Sequence, residues 1–184
     1  MTVVGDEVRR LNWGCGTHPR SGWINSDLKD DAGIDISCDI RAGLPLDSDS
    51  LDYAVSIHAL NMIPYPELVP VLQELRRVLR RGATLRLALP DLDRAIRAYR
   101  DGDRSHFLVP DEDEATLSGK MIVHLLWYGY TVTLFTAEFA RSILLRAGFR
   151  HVHDCSFRNT ASEHPEITEL DNREHETFFI EAVK

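Results

Sequence analysis

Two glycines and a carboxylate near the start of this chain stand at a spacing that could build a nucleoside pocket. An apolar strand, Leu11–Trp13, runs into Gly14 and Gly16, and a second strand at 23–26 ends at Asp27. Glycine has no Cβ, so the backbone of such a turn can approach a ligand closely. A carboxylate ending the next strand can accept hydrogen bonds from both ribose hydroxyls. These residue types predict a nucleoside site.

The spacing argues against a dinucleotide. Dinucleotide folds place a third glycine after the turn and seat the pyrophosphate on the N-terminus of a following helix. Here Pro19 occupies the third place, and Gly14 to Gly22 leaves room for only about one helical turn. A cofactor with a nucleoside but no phosphate needs only the glycine turn and the ribose acid. S-adenosylmethionine (SAM) fits that description.

Several sequence blocks, in this order, resemble the class I SAM-dependent methyltransferases, specifically a compact bacterial branch of the type 11 group. The blocks are Leu11–Gly16, Gly22–Asp27, Cys38–Arg41 with Leu44–Asp47, Leu89–Asp93, and the tail Leu170–Arg173 followed by Phe178–Lys184. The resemblance covers nearly the whole chain. It implies a Rossmann-like sheet with SAM lying across the ends of its first strands.

The resemblance also implies which residues bind the cofactor. These are Asn12, Gly14, Cys15, Gly16, Asp27, Leu28, Asp39, Ile40 and His58. In the family, an acid in the place of Asp39 reaches the exocyclic amine of adenine, and the next backbone amide reaches a ring nitrogen. The alternative for Asp39 is a turn acid at the end of a strand.

The chain departs from the family after the fourth strand. Relatives commonly read Leu-Glu-His-Ile there, whereas this chain reads Leu60-Asn61-Met62-Ile63. Asn61 and Met62 can line a pocket but cannot accept a proton at neutral pH. A base role for the family histidine therefore does not carry over.

Three other residues are catalytic candidates, each with a structural alternative. His58 ends the fourth strand, at the edge where open sheets bind ligands, and could equally be bonded to backbone. Asp91 follows the fifth strand and could cap the next helix. His124 lies in segment 92–135, the expected substrate cap, beside an aromatic group that could line an acceptor pocket or a core. That group is Trp127, Tyr128 and Tyr130.

Apolar spacing, together with the resemblance, predicts an α/β fold: a Rossmann-like, mostly parallel seven-stranded sheet with an antiparallel C-terminal hairpin. Strands are expected near Arg9–Trp13, Trp23–Ser26, Ile34–Asp39, Leu51–Ile57, Ala83–Leu89, Phe149–Phe157 and Glu176–Val183. A helix should carry Leu68, Leu72, Leu75 and Leu79 and end at Gly82, and another should begin at Thr136.

The first half offers little sequence for helices. Parallel strands usually need a crossover of about a dozen residues or more, but segments 28–33 and 40–50 are short or irregular. One face of the early strands is thus expected to be thinly covered. We expect that face to pack on a second subunit in a homodimer.

Composition indicates a single domain over residues 1–184. Apolar residues make up 43% of the chain, and the net charge of −8 argues against a broad nucleic-acid surface. There is no run of apolar residues long enough to span a membrane, and the N-terminus lacks the charged segment followed by an apolar one that is typical of a signal peptide. Three cysteines without redox or zinc spacing indicate reduced thiols. The sequence therefore predicts a cytoplasmic protein without nucleic-acid or membrane partners.

No metal site is expected. His151, His153 and Cys155 alternate along a predicted strand, but side chains two apart on a strand lie about 6.8 Å apart, too far to converge on one ion without a bulge. The acidic run 111–114 is interpreted as a solvated loop.

Three functions remain at this point. The leading hypothesis is a SAM-dependent methyltransferase acting on a small-molecule or sugar acceptor, where sugar chemistry rests on family association alone. The alternative is a SAM-binding protein without transferase activity that acts as a partner or regulator. A nicotinamide oxidoreductase is disfavoured by Pro19 and the short first crossover.

Overall fold

A computed structural model of the chain describes residues 8–184, which form one mixed sheet and four α-helices. The strands are β1 (Arg10–Trp13), β2 (Ile24–Asp27), β3 (Ile36–Ser37), β4 (Leu51–Ile57), β5 (Leu79–Pro90), β6 (Arg150–Cys155) and β7 (Thr177–Val183). The helices are α1 (Tyr65–Val78), α2 (Leu92–Asp101), α3 (Leu117–Leu126) and α4 (Ala137–Arg146). Residues 1–7, which the sequence analysis assigns to the same domain, lie outside the described residues.

The sheet has the order β3-β2-β1-β4-β5-β7-β6. The first five of these strands are mutually parallel, and β7 and β6 are antiparallel to their neighbours. The predicted fold class, with its antiparallel C-terminal hairpin, is confirmed. Because β7 is antiparallel to β5 and Thr177 pairs with Pro90, β7 begins at the edge where the parallel strands end.

Helices α1 and α4 cover one face of the sheet. Their apolar stripes pack on inward-facing residues of β1, β5 and β7 in one buried cluster. The helix-ending role predicted for Gly82 is wrong. Helix α1 ends at Val78, and Leu79 already pairs with Leu51 of β4, so Gly82 lies within β5.

Two predicted helix starts are confirmed by their caps. The Asp91 carboxylate accepts a hydrogen bond from the Arg94 amide at 3.1 Å and caps α2. The Thr136 hydroxyl accepts one from the Phe139 amide at 3.2 Å and caps α4. Each cap satisfies a backbone donor that the first helical turn leaves unpaired.

The opposite face of the sheet is covered by an irregular segment, residues 156–171, which we call the strap. Ile167 of the strap is fully buried against Trp23, Tyr53 and Val55. Tyr53 and Val55 of β4, and Trp23 just before β2, are therefore covered by the chain itself. The expectation that this face is left open for a second subunit is wrong for these residues. The homodimer itself stays a prediction.

Ion pairs fix the strap to the sheet. The guanidinium of Arg86 on β5, fully buried, lies 2.5 Å from the Asp171 carboxylate and 2.7 Å from that of Glu181. It also donates to the carbonyls of Ser156 and Asn159. The buried charge of Arg86 is thus matched by polar groups of the strap and by Glu181 of β7.

The candidate metal residues lie on the outer strand, β6, where the register shifts between Arg150 and His153 and His151 has a positive φ. Within residues 8–184, no three histidine, cysteine or acidic side chains cluster as metal ligands would. Over the same residues, no helix is long and apolar enough to cross a membrane.

Candidate functional site

A cavity of about 670 Å³ opens at the edge where the parallel strands end. Its volume lies within the usual range for small-molecule and cofactor sites, about 300–1,000 Å³. One end is formed by Asn12 and the turn 14–18, and the middle by residues after β4. The far end is formed by the segment 124–131 and by residues 170–176. The cavity thus joins the glycine turn to the segment expected to act as a cap.

The glycine turn has the conformation that its sequence predicts. Gly14 and Gly16 have φ of 68° and 55°, in the left-handed region that side chains disfavour. The amides of Gly14 and Cys15 donate to the Ser26 carbonyl, and the Gly16 amide donates to Oδ2 of Asp27 at 2.8 Å. The predicted ribose acid is therefore bound directly to the turn.

Four of the predicted cofactor residues lie outside this cavity. Asp27 accepts a second hydrogen bond from the Leu28 amide, and the Leu28 side chain is largely exposed. The Asp39 carboxylate is bound by the Arg41 guanidinium, which lowers the pKa of Asp39, and the Ile40 side chain is buried in the core. The cavity lining begins at Asn12 and the turn. Roles for these four residues in cofactor binding stay predictions.

Asn12 and Cys15 line the cavity but are held by the protein. The Asn12 amide donates to the Asn25 side chain at 3.1 Å, and the Cys15 thiol is buried. Burial, with a smaller contribution from Asp27, raises the pKa of Cys15 to about 11. This thiol stays protonated at neutral pH and is a poor nucleophile.

His58 lies in the middle of the cavity, directly after β4. Its amide donates to the Ala88 carbonyl, and its Nε2 lies 2.8 Å from the Thr177 hydroxyl. Burial lowers the pKa of His58 to about 3, with smaller contributions from the positive charge of Arg173 and from His124. The ring is therefore neutral at physiological pH.

His124 and Glu176 form a buried pair at the cap end. Nε2 of His124 lies 3.3 Å from Oε2 of Glu176, while Nδ1 accepts a hydrogen bond from the Leu108 amide. Burial lowers the pKa of His124, and the attraction of Glu176 opposes that shift only in part. The neutral ring thus carries its proton on Nε2 and donates it to Glu176.

Arg173 and Trp127 complete this end. Nη1 of Arg173 lies 3.1 Å from Oε1 of Glu176, and its Cζ lies 5.6 Å from the Trp127 ring centre. Asp91, the remaining catalytic candidate, does not line the cavity, and its carboxylate is used by the α2 cap and by Arg94.

Comparison with known proteins finds a family match over part of the chain. A family model described as a methyltransferase domain matches residues 17–87, which include Asp27, Asp39 and His58 and begin directly after Gly16. No curated protein matches the chain.

Solved structures share the fold at low sequence identity. A SAM-dependent methyltransferase of Thermotoga maritima, a possible histamine N-methyltransferase, is 18% identical with a TM-score of 0.58, over 98% of this chain and 84% of its own. One from Archaeoglobus fulgidus is 17% identical with a TM-score of 0.59, over 96% and 86%. The cyclase SpnF is 16% identical with a TM-score of 0.51, over 100% and 77%.

The family match begins just after the glycine turn, and the shared fold agrees with a ligand site at the edge where that turn lies. Together, the partial family match and the shared fold indicate a SAM-dependent methyltransferase. SAM is accordingly its cofactor. Structures this distant show the fold alone, so the acceptor has to be inferred from the site of this methyltransferase itself.

The residues of this methyltransferase fit SAM. A Cβ placed at Gly16 would meet nothing within 4 Å, so the turn leaves open space over its backbone. A Cβ at Gly14 would lie 2.3 Å from Cβ of Ala59, so the turn packs directly on the segment after β4. The turn can therefore hold the nucleoside end of SAM while the cavity continues toward the cap.

Sequence reasoning missed Glu176 and Arg173 as site residues. Both precede β7 and were interpreted as parts of a closing strand and its approach. A usable signal exists, because an antiparallel strand beside β5 must start where the parallel strands end. Polar residues just before such a strand therefore lie at the ligand edge.

Proposed function

We propose that this methyltransferase transfers the methyl group of SAM to a small-molecule or sugar acceptor bound beneath the cap. The cavity that runs from the glycine turn to His124, Trp127 and Thr131 carries the proposal. SAM supplies an activated methyl group on its sulfonium, so the protein mainly has to align a nucleophile and exclude water. A cavity of this shape has room for both partners.

The lining at the cap end favours an acceptor rich in polar groups. Asn61, Thr131 and Asn172 offer amide and hydroxyl groups there, and Trp127 offers an aromatic surface. Such a set suits a sugar or another small polar molecule. The chain's net charge of −8 does not favour a nucleic-acid acceptor.

The cap in this proposal is the segment 92–135 of a single methyltransferase domain. Its acidic run is tied down within the segment: Asp111 lies 2.8 Å from Nζ of Lys120, and Asp113 accepts a hydrogen bond from the Tyr128 hydroxyl. The acidic run itself is an exposed turn, as expected, since the Asp111 side chain is 76% exposed, and these contacts tie that turn to the rest of the segment. The proposed catalytic roles fall to His58 and His124, which line the cavity.

A second candidate function is a SAM-binding partner or regulator without transferase activity. One observation favours it. In addition to Asn61 and Met62 at the expected base position, both ring nitrogens of His124 are engaged by protein groups. His124 therefore has no free ring nitrogen with which to take a proton from an acceptor.

Calorimetric titration with SAM, S-adenosylhomocysteine and NAD tests the proposal first. We expect micromolar binding of SAM and S-adenosylhomocysteine and none of NAD. A radiolabelled-methyl screen of sugars, amines and small alcohols then separates the two candidates. Methyl transfer to any of them supports the enzyme, whereas SAM binding with no transfer across the screen favours the regulator. NAD binding without SAM binding would contradict both.

A further inference from the structure

Asn61 carries a buried oxygen that no described residue satisfies. Its side chain lies in the wall of the cavity and is only 3% exposed. Nδ2 donates to the Thr131 hydroxyl at 2.9 Å, but Oδ1 accepts no hydrogen bond from residues 8–184. Buried polar atoms are almost always paired, and an unpaired acceptor lowers stability. A ligand in the cavity can supply the missing donor.

The position of this oxygen is fixed by the backbone around it. The Asn61 carbonyl accepts hydrogen bonds from the amides of Val132 and Thr133, at 2.9 and 3.0 Å. The Thr133 hydroxyl in turn donates to the Ile63 carbonyl at 2.7 Å. Because the 61–63 and 131–133 segments are bound together in this way, the Asn61 side chain has little freedom to turn aside.

Asn61 also stands between the two ends of the cavity. Ala59, two residues earlier, packs directly on Gly14 of the glycine turn. Thr131, its hydrogen-bond partner, belongs to the cap. A group bound to Oδ1 therefore lies where a donor on the turn and an acceptor under the cap must meet.

We propose that Oδ1 of Asn61 accepts a hydrogen bond from the nucleophilic O–H or N–H of the methyl acceptor. Asn61 is then a specificity-determining residue, and Thr131 is a positioning residue that orients the amide. This inference rests on the proposed function, since it assumes an acceptor in the cavity. It narrows the acceptor class to molecules whose reacting atom carries a hydrogen.

The proposal explains how the site can distinguish a hydroxyl substrate from its product. In the transfer a C–O bond forms, the C–S bond breaks with its electron pair left on sulfur, and the hydroxyl proton passes to water. The product ether has no hydrogen to donate to Asn61. It is therefore held by one hydrogen bond fewer than the substrate and leaves more readily.

Matched small molecules test this directly. Cyclohexanol and methoxycyclohexane are both neutral and have a ring of pyranose size, and the ether alone lacks a donor. Their dissociation constants would be measured by saturation-transfer NMR on protein saturated with S-adenosylhomocysteine. We expect the alcohol to bind the wild-type protein at least about fivefold more tightly than the ether, as one net hydrogen bond predicts.

Variants assign the preference to Asn61. Asn61→Leu has a similar shape and no acceptor, so it should bind the alcohol and the ether equally. Asn61→Asp keeps an acceptor and should keep the preference, which guards against a folding defect in the leucine variant. Thr131→Val should weaken the preference, and Thr131→Ser should restore it. Affinity for S-adenosylhomocysteine should change less than about twofold in all four variants.

Several outcomes would overturn the assignment. Equal binding of alcohol and ether to the wild type, binding of neither, or a preference for the ether would mean that Oδ1 stays buried without a ligand partner or that the amide presents its NH₂ group. A tenfold loss of S-adenosylhomocysteine affinity in Asn61→Leu would place the atom in the donor site instead. If the wild type did not bind S-adenosylhomocysteine, the proposed function itself would be contradicted, and that result is distinct from the test of Asn61.

Discussion

Nε2 of His124 lies 3.3 Å from Oε2 of Glu176, and both side chains are about 5% exposed. The two residues are far apart in sequence: His124 belongs to α3 and Glu176 precedes β7. Their contact therefore joins the proposed cap to the sheet. Since the imidazole is neutral, the contact is a hydrogen bond to a charged acceptor rather than an ion pair between two charges.

A double-mutant cycle should measure that contact. His124→Phe keeps a ring of similar size, and Glu176→Gln removes the charge. We expect a coupling of about 1.5–3 kcal/mol in the free energy of unfolding, which is typical of a hydrogen bond to a charged group. Urea unfolding of the wild type, the two single variants and the double variant gives this quantity. Additive effects would show that the two side chains are merely neighbours.

The two glycines of the turn should respond differently to alanine. Gly16→Ala should cost about 1–2 kcal/mol, since only the positive φ is disfavoured. Gly14→Ala should cost at least about 1 kcal/mol more, because its Cβ would collide with Ala59. Ala59→Gly in the same chain should recover most of the difference. Equal losses by urea unfolding, or no rescue, would contradict this packing.

The elements that sequence reasoning predicted are those governed by local chemistry. The Asp91 and Thr136 caps begin α2 and α4 because their side chains bond to backbone amides within the next helical turn. The end of α1 was not predicted because it is determined by a contact with another strand and not by the local sequence. Leu79 continues the helical spacing of the leucines, but pairing with Leu51 of β4 draws it into the sheet.

The strap and the Glu176 end of the site escaped prediction for a related reason. In the sequence, Arg86 interrupts an apolar strand. Its partners Asp171 and Glu181 come close to Arg86 only in the folded chain. Periodicity cannot find partners nearly a hundred residues apart. The glycine turn and Asp27, by contrast, were predictable because their spacing sets the turn itself.

Asp27→Ala should weaken binding of S-adenosylhomocysteine by roughly 10- to 150-fold, which corresponds to losing about 1.5–3 kcal/mol of hydrogen bonding to a charged group. The loss has two sources, the predicted ribose contact and the bond to the Gly16 amide. Asp101→Ala, an exposed acid at the end of α2, is the control. Calorimetry that finds wild-type affinity in Asp27→Ala would remove this acid from the site.

Acid should destabilise the protein through His58. Burial lowers the pKa of His58 from 6.5 to about 3 in the folded chain, so below pH 6.5 the unfolded chain binds more protons. Stability present above pH 6.5 is then lost as the pH falls toward 3, by roughly 2 kcal/mol at pH 5. His58→Asn tolerates the positive φ at this position and does not titrate. Urea unfolding at pH 7 and pH 5 should show a smaller loss in this variant. An identical loss would assign the acid sensitivity to other groups.

The buried Arg86 should be far more important for stability than an exposed arginine in an ion pair. Arg86→Met leaves the Asp171 and Glu181 carboxylates buried without their cation and should cost about 3–5 kcal/mol. Arg80→Met breaks the ion pair between Arg80 and Asp52, which is partly exposed, and should cost less than about 1 kcal/mol. Arg86→Lys keeps the charge and should be intermediate.

Urea unfolding ranks the three variants, and hydrogen exchange should show faster opening of the strap in Arg86→Met. Because Asp171 is followed directly by two residues that line the cavity, Asn172 and Arg173, the same variant should also loosen the acceptor end. Unchanged exchange in the strap would mean that the apolar contact of Ile167, rather than the ion pairs, holds that segment on the sheet.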